Sequence, residues 1–432
     1  MIRLKKAIMY PYRCIETTQE LDLSKNIITL VGRNEAGKTS VLELLAKSNY
    51  YNTESGRFHF DEQADFPRRK RRELLAAKKA PPATVLTYEV TGELLEEIHR
   101  EMILPEQKAE FCRMTDYVGA HQVIDNGFTY DAYAFWETYT SQKAPELMGM
   151  HKELATLHTK EDFERFSVKV SAVLGKPEQT VLKKVGRFFD NPHNWDNPIN
   201  EYVFRTWLLP NIPRFLYYDE CFMLPSEICL EQLENRSQTP DGQTVCAFLA
   251  LTGLDVKAIL NAEDLSVFQA DLEIAQAELS DSFLQVWTGN SDLRIELGLS
   301  RNIVTLQQKK GLFRKKIPPV YETTLQIQIK DVHSMISLPL TSRSKGFQWF
   351  FSFWVWFEAI KKTERTPFVF LLDEPGLHLH EDAQKNLLDF LQKLSETYQI
   401  MYTTHSPFLL ENSRQSVYRL VNGENGTVVT VT

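Results

Sequence analysis

The sequence has no paired-cysteine signature, no long apolar run and no excess of positive charge, and each absence removes a class of function. Its five cysteines (Cys14, Cys112, Cys221, Cys229 and Cys246) are odd in number, and none forms a C-x-x-C pair. That excludes a disulfide framework and a zinc ribbon, fits a reducing cytosol, and makes a cytoplasmic location the expectation. The N-terminal MIRLKKAIMYPYR holds no apolar core of signal-peptide length. The most apolar run, FQWFFSFWVWF from Phe347 to Phe357, stops far short of the roughly 20 residues a spanning helix needs. Lys361 and Lys362 follow it, so a buried helix is expected there and no membrane partner. A net charge of −8 excludes a uniformly cationic surface, so any nucleic-acid contact must come from local patches. No low-complexity tract, internal repeat or sustained heptad is present, which argues against long coiled-coil arms.

What is present is a chain of 432 residues, enough for two or three domain-sized units around a large core. Its ends read as α/β. Ile2–Ile8 alternates as a strand, Ile27–Val31 is an apolar run feeding a glycine, and Val41, Leu42, Leu44 and Leu45 follow at helical spacing. From about Glu89 to Trp207 the pattern turns mostly helical, over Glu93–Cys112, Tyr133–Leu157 and Lys160–Phe189, with breaks near Pro105, Pro145 and Pro177. After the turn-rich Asn191–Pro198 it returns to α/β, with strands expected at Arg214–Tyr218, Arg294–Leu299, Ile303–Gln307, Thr323–Ile329, Phe368–Leu372 and Ile400–Thr403. Helices are expected at Thr244–Leu260, Asp264–Trp287 and Ala383–Thr397. The expected organisation is an α/β domain in two pieces, 1–88 and 208–432, interrupted by a compact helical insertion at 89–207.

Four motifs carry chemistry. Gly32-Arg33-Asn34-Glu35-Ala36-Gly37-Lys38-Thr39, followed by Ser40, fits G-x-x-x-x-G-K-[ST] between a strand and a helix. The glycines let backbone N–H groups turn toward phosphates, and Lys38 supplies a mobile cation for the β- and γ-phosphates of ATP. The Thr39 hydroxyl is a candidate Mg²⁺ ligand, and the helix end adds partial positive charge. The apolar strand Phe368–Leu372 ends in Asp373 and Glu374. Asp373 is the candidate to hold Mg²⁺ through water, and Glu374 to orient and deprotonate the attacking water. A rival pair, Asp219 and Glu220, ends the run Phe215–Tyr218. The later pair is preferred because a second motif follows it, which leaves the earlier one structural or accessory. That motif, Tyr402-Thr403-Thr404-His405-Ser406-Pro407, puts His405 where it can sense a γ-phosphate. Between them, Ser344, Lys345 and Gly346 open the aromatic helix as a second phosphate cradle. Taken alone, those three read as an ordinary Ser-capped helix start; the order of all four motifs favours the nucleotide.

That order resembles the ABC-type ATPase superfamily, in which the Ser-x-Gly helix of one subunit closes on ATP held by another. More narrowly, GRNEAGKTS, RSKGFQWFFSF, LLDEPGLHLH and TTHSP are similar to the overcoming-lysogenization-defect (OLD) group and related ATPases of antiphage systems. The resemblance covers the two α/β pieces and is weak or absent between them. It implies the stated roles for Lys38, Thr39, Ser344, Gly346, Asp373, Glu374 and His405, slow hydrolysis, and a homodimer or higher even-numbered oligomer with Gly376–His380 at its seam. OLD enzymes continue into a Toprim nuclease domain, which needs an Asp-x-Asp pair; none occurs here, and after His405 the sequence runs only from Ser406 to Thr432. The resemblance therefore implies an effector on a separate protein, with DNA or a phage protein as candidate trigger. The ATPase subunits of the phage anti-restriction-induced (PARIS) defence systems, which this arrangement resembles, partner a Toprim nuclease. The other reading is a DNA-repair ATPase of the SMC and recombination-F type. A transporter ATPase is disfavoured by the missing Leu-Ser-Gly-Gly-Gln.

Three weaker features remain. Arg68–Arg72, with Lys78 and Lys79, is a basic cluster that reads more simply as a solvated face than as a DNA contact. Lys309, Lys310, Arg314, Lys315 and Lys316 read the same way. His378 and His380 lack the further His or Cys that a metal site needs.

Overall fold

The computed structural model describes the chain except residues 77–78, 234–236, 238, 288–291, 305–319, 364–366, 378, 411–414, 424–425 and 432. The second basic cluster, Lys78 and His378 lie outside the described residues.

Strands β1 (Ile2–Met9) and β2 (Gln19–Asp22) pair antiparallel, and β3 (Ile27–Gly32) then runs into helix α1 (Lys38–Ser48). Strands β4 (Pro82–Val90), β5 (Glu110–Asp116) and β6 (His121–Asn126) complete an antiparallel sheet of order β2-β1-β4-β5-β6. Helix α2 (Glu93–Met102) leaves this sheet and returns to it. The region expected to be helical is therefore helical only in part. Glu93–Cys112 is helix as far as Met102 and strand from Glu110. The reason is a period of two, which buries Phe111, Arg113 and Thr115 and leaves their neighbours part-exposed. Beyond β6 the helices dominate, chiefly α3 (Ala132–Gln142), α4 (Lys160–Ser171) and α5 (Lys176–Val185). Their core is aromatic, with Trp136 stacked on Phe189 at 5.5 Å.

The chain then builds β7 (Arg214–Tyr218), β8 (Glu227–Cys229), α6 (Pro240–Thr252), α7 (Gln269–Leu284), β9 (Leu293–Val304), β10 (Val320–Asp331) and β11 (Ile336–Pro339). The helix expected over Thr244–Leu260 is two helices, because Gly253 at φ 68° ends α6 in the left-handed region. Strands β8 to β11 form a small antiparallel sheet, in which β9 runs unbroken from the expected Arg294–Leu299 strand to Val304; residues 305–307 of the second expected strand lie outside the described residues. Finally come α8 (Lys345–Thr363), β12 (Phe368–Leu372), α9 (Glu381–Leu394), β13 (Gln399–Thr404), β14 (Gln415–Gly423) and β15 (Gly426–Val431).

The site is positioned by the third sheet, of order β15-β14-β3-β13-β12-β7, parallel except for β15. Strands β12 and β13 are buried along their whole length, as parallel strands covered on both faces must be. This sheet threads β3, from the start of the chain, between β13 and β14 near its end. The aromatic run lies in α8, packed on the sheet: Trp349 and Trp356 meet Tyr218 at 5.4 and 5.3 Å, and Phe353 meets Phe370 at 6.1 Å. No helix among the described residues is long and apolar enough to cross a membrane.

Candidate functional site

Parallel strands deliver their C-terminal ends to one edge, and ligands of such sheets gather there. Here β3, β12 and β13 bring the loop 32–39, Asp373 with Glu374, and His405 to that edge. The loop needs its second glycine. Gly37 has φ 91°, and a Cβ on it would lie 2.7 Å from Cys14 Sγ and 2.8 Å from Thr427 Oγ1. Strands β14 and β15 hold the loop from behind: Thr427 Oγ1 donates to Ala36 O at 3.1 Å, and Leu420 O sits 2.6 Å from where a Gly32 Cβ would be.

Lys38 meets Glu374 and His405, and Thr39 meets Asp373. The Lys38 ammonium, 7% exposed, lies 3.1 Å from Gly32 O, 3.3 Å from Arg33 O, 2.7 Å from His405 Nε2 and 3.4 Å from Glu374 Oε1. His405 Nε2 is 3.1 Å from the same Glu374 oxygen. Thr39 Oγ1 donates to Asp373 Oδ2 at 2.8 Å. A hydroxyl and a carboxylate side by side offer the hard oxygen donors that suit Mg²⁺, so the residues fit that ion. Among the described residues no group of three or more His, Cys, Asp or Glu could hold a metal by itself, so water and phosphate oxygens would have to complete the shell.

Two residues to which the motif reading gave no role hold Asp373 in place. Thr403 Oγ1 donates to Asp373 Oδ1 at 2.6 Å and accepts from the Glu374 N–H at 2.7 Å. Tyr217 OH donates to Asp373 Oδ2 at 3.1 Å. Glu374 has φ 47°, left-handed backbone that a non-glycine residue adopts only when its surroundings insist. The tip of β12 is thus strained, and Thr403 pins it.

The rival acids are beside the preferred ones. β7 pairs with β12 so that Tyr218 lies level with Leu372, and Asp219 emerges next to Asp373. Asp219 is committed to Arg57 at 2.5 Å, and Arg57 also reaches Glu43 on α1 at 3.7 Å.

The Ser-x-Gly segment stands apart from the loop. Ser344 Oγ accepts from Phe347 N–H at 3.3 Å as a helix cap. Gly346 packs so closely that a Cβ would lie 2.1 Å from Leu379 Cδ2 of the same chain. Lys345, Gly346 and Trp349 line a cleft of about 200 Å³ shared with Asp373, Glu374, Gly376 and the acids after β7. Gly32, Arg33, Asn34, Ala36 and His405 line a different one, about 570 Å³, closed by Arg419–Asn422. Arg68, Arg69, Arg71 and Arg72 are exposed, as a solvated face would be.

The profile of a family described as AAA ATPase domain matches residues 262–410, the stretch holding Ser344, Gly346, Asp373, Glu374 and His405. The uncharacterized protein MJECL43 of Methanocaldococcus jannaschii is 41% identical over 73 residues, 16% of this chain and 19% of that one. The match thus spans about a fifth of that relative's length. The SMC head domain from Thermotoga maritima aligns over 100% of this chain and 99% of its own at 11% identity, with a TM-score of 0.40. An SMC head with an extended coiled coil, bound to the C-terminal domain of ScpA derived from Pyrococcus furiosus, covers 100% and 96% at 14% identity and 0.41.

Proposed function

We propose that this α/β fold is an ABC-type P-loop ATPase head, which binds ATP with Mg²⁺ and hydrolyses it between two copies of the chain. The observation that carries this reading is the meeting of Lys38, Glu374 and His405 within 3.4 Å at the sheet edge. The cation that would meet the β- and γ-phosphates and the acid that would take a proton from water share one point there. The backbone N–H groups of 32–39 and the first turn of α1 would cradle the phosphates, with Ser40 following. Thr39 and Asp373 would hold Mg²⁺, which supplies charge neutralisation across the β- and γ-oxygens. His405, close to Lys38 and Glu374, would register whether the γ-phosphate is in place.

A second copy enters because loop and Ser-x-Gly helix line different clefts of one chain. Ser344, Lys345 and Gly346 would close on the nucleotide held by a neighbour, with Gly376–His380 at the seam, and symmetry would make two such sites. In this reading 1–88 and 208–432 act as one ATPase head and 89–207 as its insertion. The motif resemblance to OLD-like ATPases supports a further step. ATP closure would gate a separate effector of the Toprim nuclease kind in antiphage defence.

Mixing Lys38→Ala chains with Ser344→Arg chains tests the shared site. Each alone should be inactive, while a mixed dimer keeps one intact loop opposite one intact helix and should recover turnover. A silent mixture whose ATP-loaded chains sediment as monomers would overturn the reading. For the effector, the purified chain should cut no DNA or RNA with Mg²⁺ or Mn²⁺. Tight ATP-dependent DNA binding by the chain alone would favour a DNA-repair clamp instead.

A further inference from the structure

We propose that Tyr217 is a positioning residue for Asp373, leaving its carboxylate a single free lone pair, on Oδ1, with which it would hold Mg²⁺. The inference rests on the nucleotide reading of the site and concerns how the metal is held there.

An ionised carboxylate has about four lone-pair sites. Three on Asp373 are engaged: Oδ2 by Thr39 at 2.8 Å and Tyr217 at 3.1 Å, and Oδ1 by Thr403 at 2.6 Å. One lone pair of Oδ1 is left. Thr39 can keep its proton on Asp373 and still turn an oxygen lone pair toward a cation. Asp373 could bind that cation directly through both oxygens only by breaking a hydroxyl bond. A single contact through the free Oδ1 lone pair would break none.

The tyrosine is itself held. β7 lies in register with β12, and Asp373 N–H donates to Tyr218 O at 2.9 Å, which sets the neighbouring Tyr217 against the carboxylate. The Arg57 guanidinium sits over the Tyr217 ring, 5.0 Å from its centroid, and the Phe58 ring lies 5.2 Å away. Arg57 is pinned in turn by Asp219 and Glu43. The acid after β7 thus gains a task that needs no contact with substrate: it holds the arginine that holds the ring.

Tyr217→Phe in the full chain removes one hydroxyl and no packing. ATP affinity would be measured by calorimetry in EDTA, and the protein–ATP complex then titrated with Mg²⁺. The metal-free affinity should be unchanged, and the Mg²⁺ concentration for half-saturation should rise about tenfold, the usual worth of a hydrogen bond to a charged group. Electron paramagnetic resonance of Mn²⁺ in the complex should show broader lines as the carboxylate gains freedom. Arg57→Gln, which loosens the ring but keeps its hydroxyl, should shift the titration less. An unchanged Mg²⁺ titration would overturn the inference, as would an equal loss of metal-free ATP binding, which marks a packing defect. A parent chain that binds no ATP at all would sink the nucleotide reading itself.

Discussion

Thr403 joins the two acids that the reading relies on, so Thr403→Val is a sharp perturbation. Valine has the same shape and no hydroxyl, and position 403 is fully buried, so packing is conserved while two hydrogen bonds vanish. The lost bond to the Asp373 carboxylate is worth about 1.5–3 kcal/mol, and a buried N–H left without a partner costs about 1–3 kcal/mol. The second cost falls on Glu374, whose backbone already stands at φ 47°. Strain of that kind is worth about 1–3 kcal/mol, so the tip of β12 should relax to ordinary backbone, recovering part of the loss and moving the Glu374 carboxylate. Urea unfolding should therefore show a destabilisation of about 2–3 kcal/mol. Single-turnover hydrolysis should fall about 100-fold, since a misplacement of about 1 Å in a reacting group has that effect. Thr403→Ser keeps both bonds and loses one methyl, about 1 kcal/mol, and should retain most of its turnover. A valine variant as stable and as fast as the parent would refute the claim that Thr403 pins the acids.

Lys38→Ala should abolish retention of ATP through desalting, whereas Glu374→Gln should retain ATP without turning it over; parent-rate hydrolysis by the Gln variant would make Glu220 the next candidate base. Gly37→Ala faces both φ 91° and the Cys14 and Thr427 contacts, so it should cost about 1–3 kcal/mol in unfolding and weaken ATP binding, measured by calorimetry. Gly346→Ala would drive a methyl into Leu379, displacing the start of α8. It should spare ATP binding while reducing turnover about tenfold or more, with partial recovery on adding Leu379→Ala.

The parts of the site legible in the sequence are those whose chemistry is contiguous. A loop such as 32–39 announces itself because spacing alone encodes its backbone turns, and β12 announces itself because a strand buried on both faces is written as an unbroken apolar run. Strand β5 hid for the opposite reason. Its inward row is Phe111, Arg113, Thr115, with Arg113 at 4% exposure, so the period of two is real but not apolar. Thr403 and Tyr217 hid because a hydroxyl in a strand says nothing about which carboxylate it meets. Tyr217 and Asp373 are 156 residues apart, and only the register of β7 on β12 brings them together. The one available signal was the second acid pair, which marked β7 as ending at the same edge.

The Ser344–Gly346 segment admitted two readings, an ordinary capped helix start and a phosphate cradle, and its geometry shows why they need not compete. Ser344 does cap its own helix: its hydroxyl takes the Phe347 N–H and its carbonyl takes the Gln348 N–H. Gly346 does have a packing reason, the close approach of Leu379. Yet the first four N–H groups of a helix lack an intrahelical partner, and of the four from Ser344 to Phe347 this cap takes only the last. The N–H groups of Lys345 and Gly346 are the ones an anion could meet, at the positive end of a 19-residue helix and beside a lysine in the cleft. A side chain on residue 346 would do harm twice over, by lifting the helix from Leu379 and by standing between those groups and a phosphate. The cap and the close packing are what would hold the cradle rigid enough to serve a neighbouring subunit.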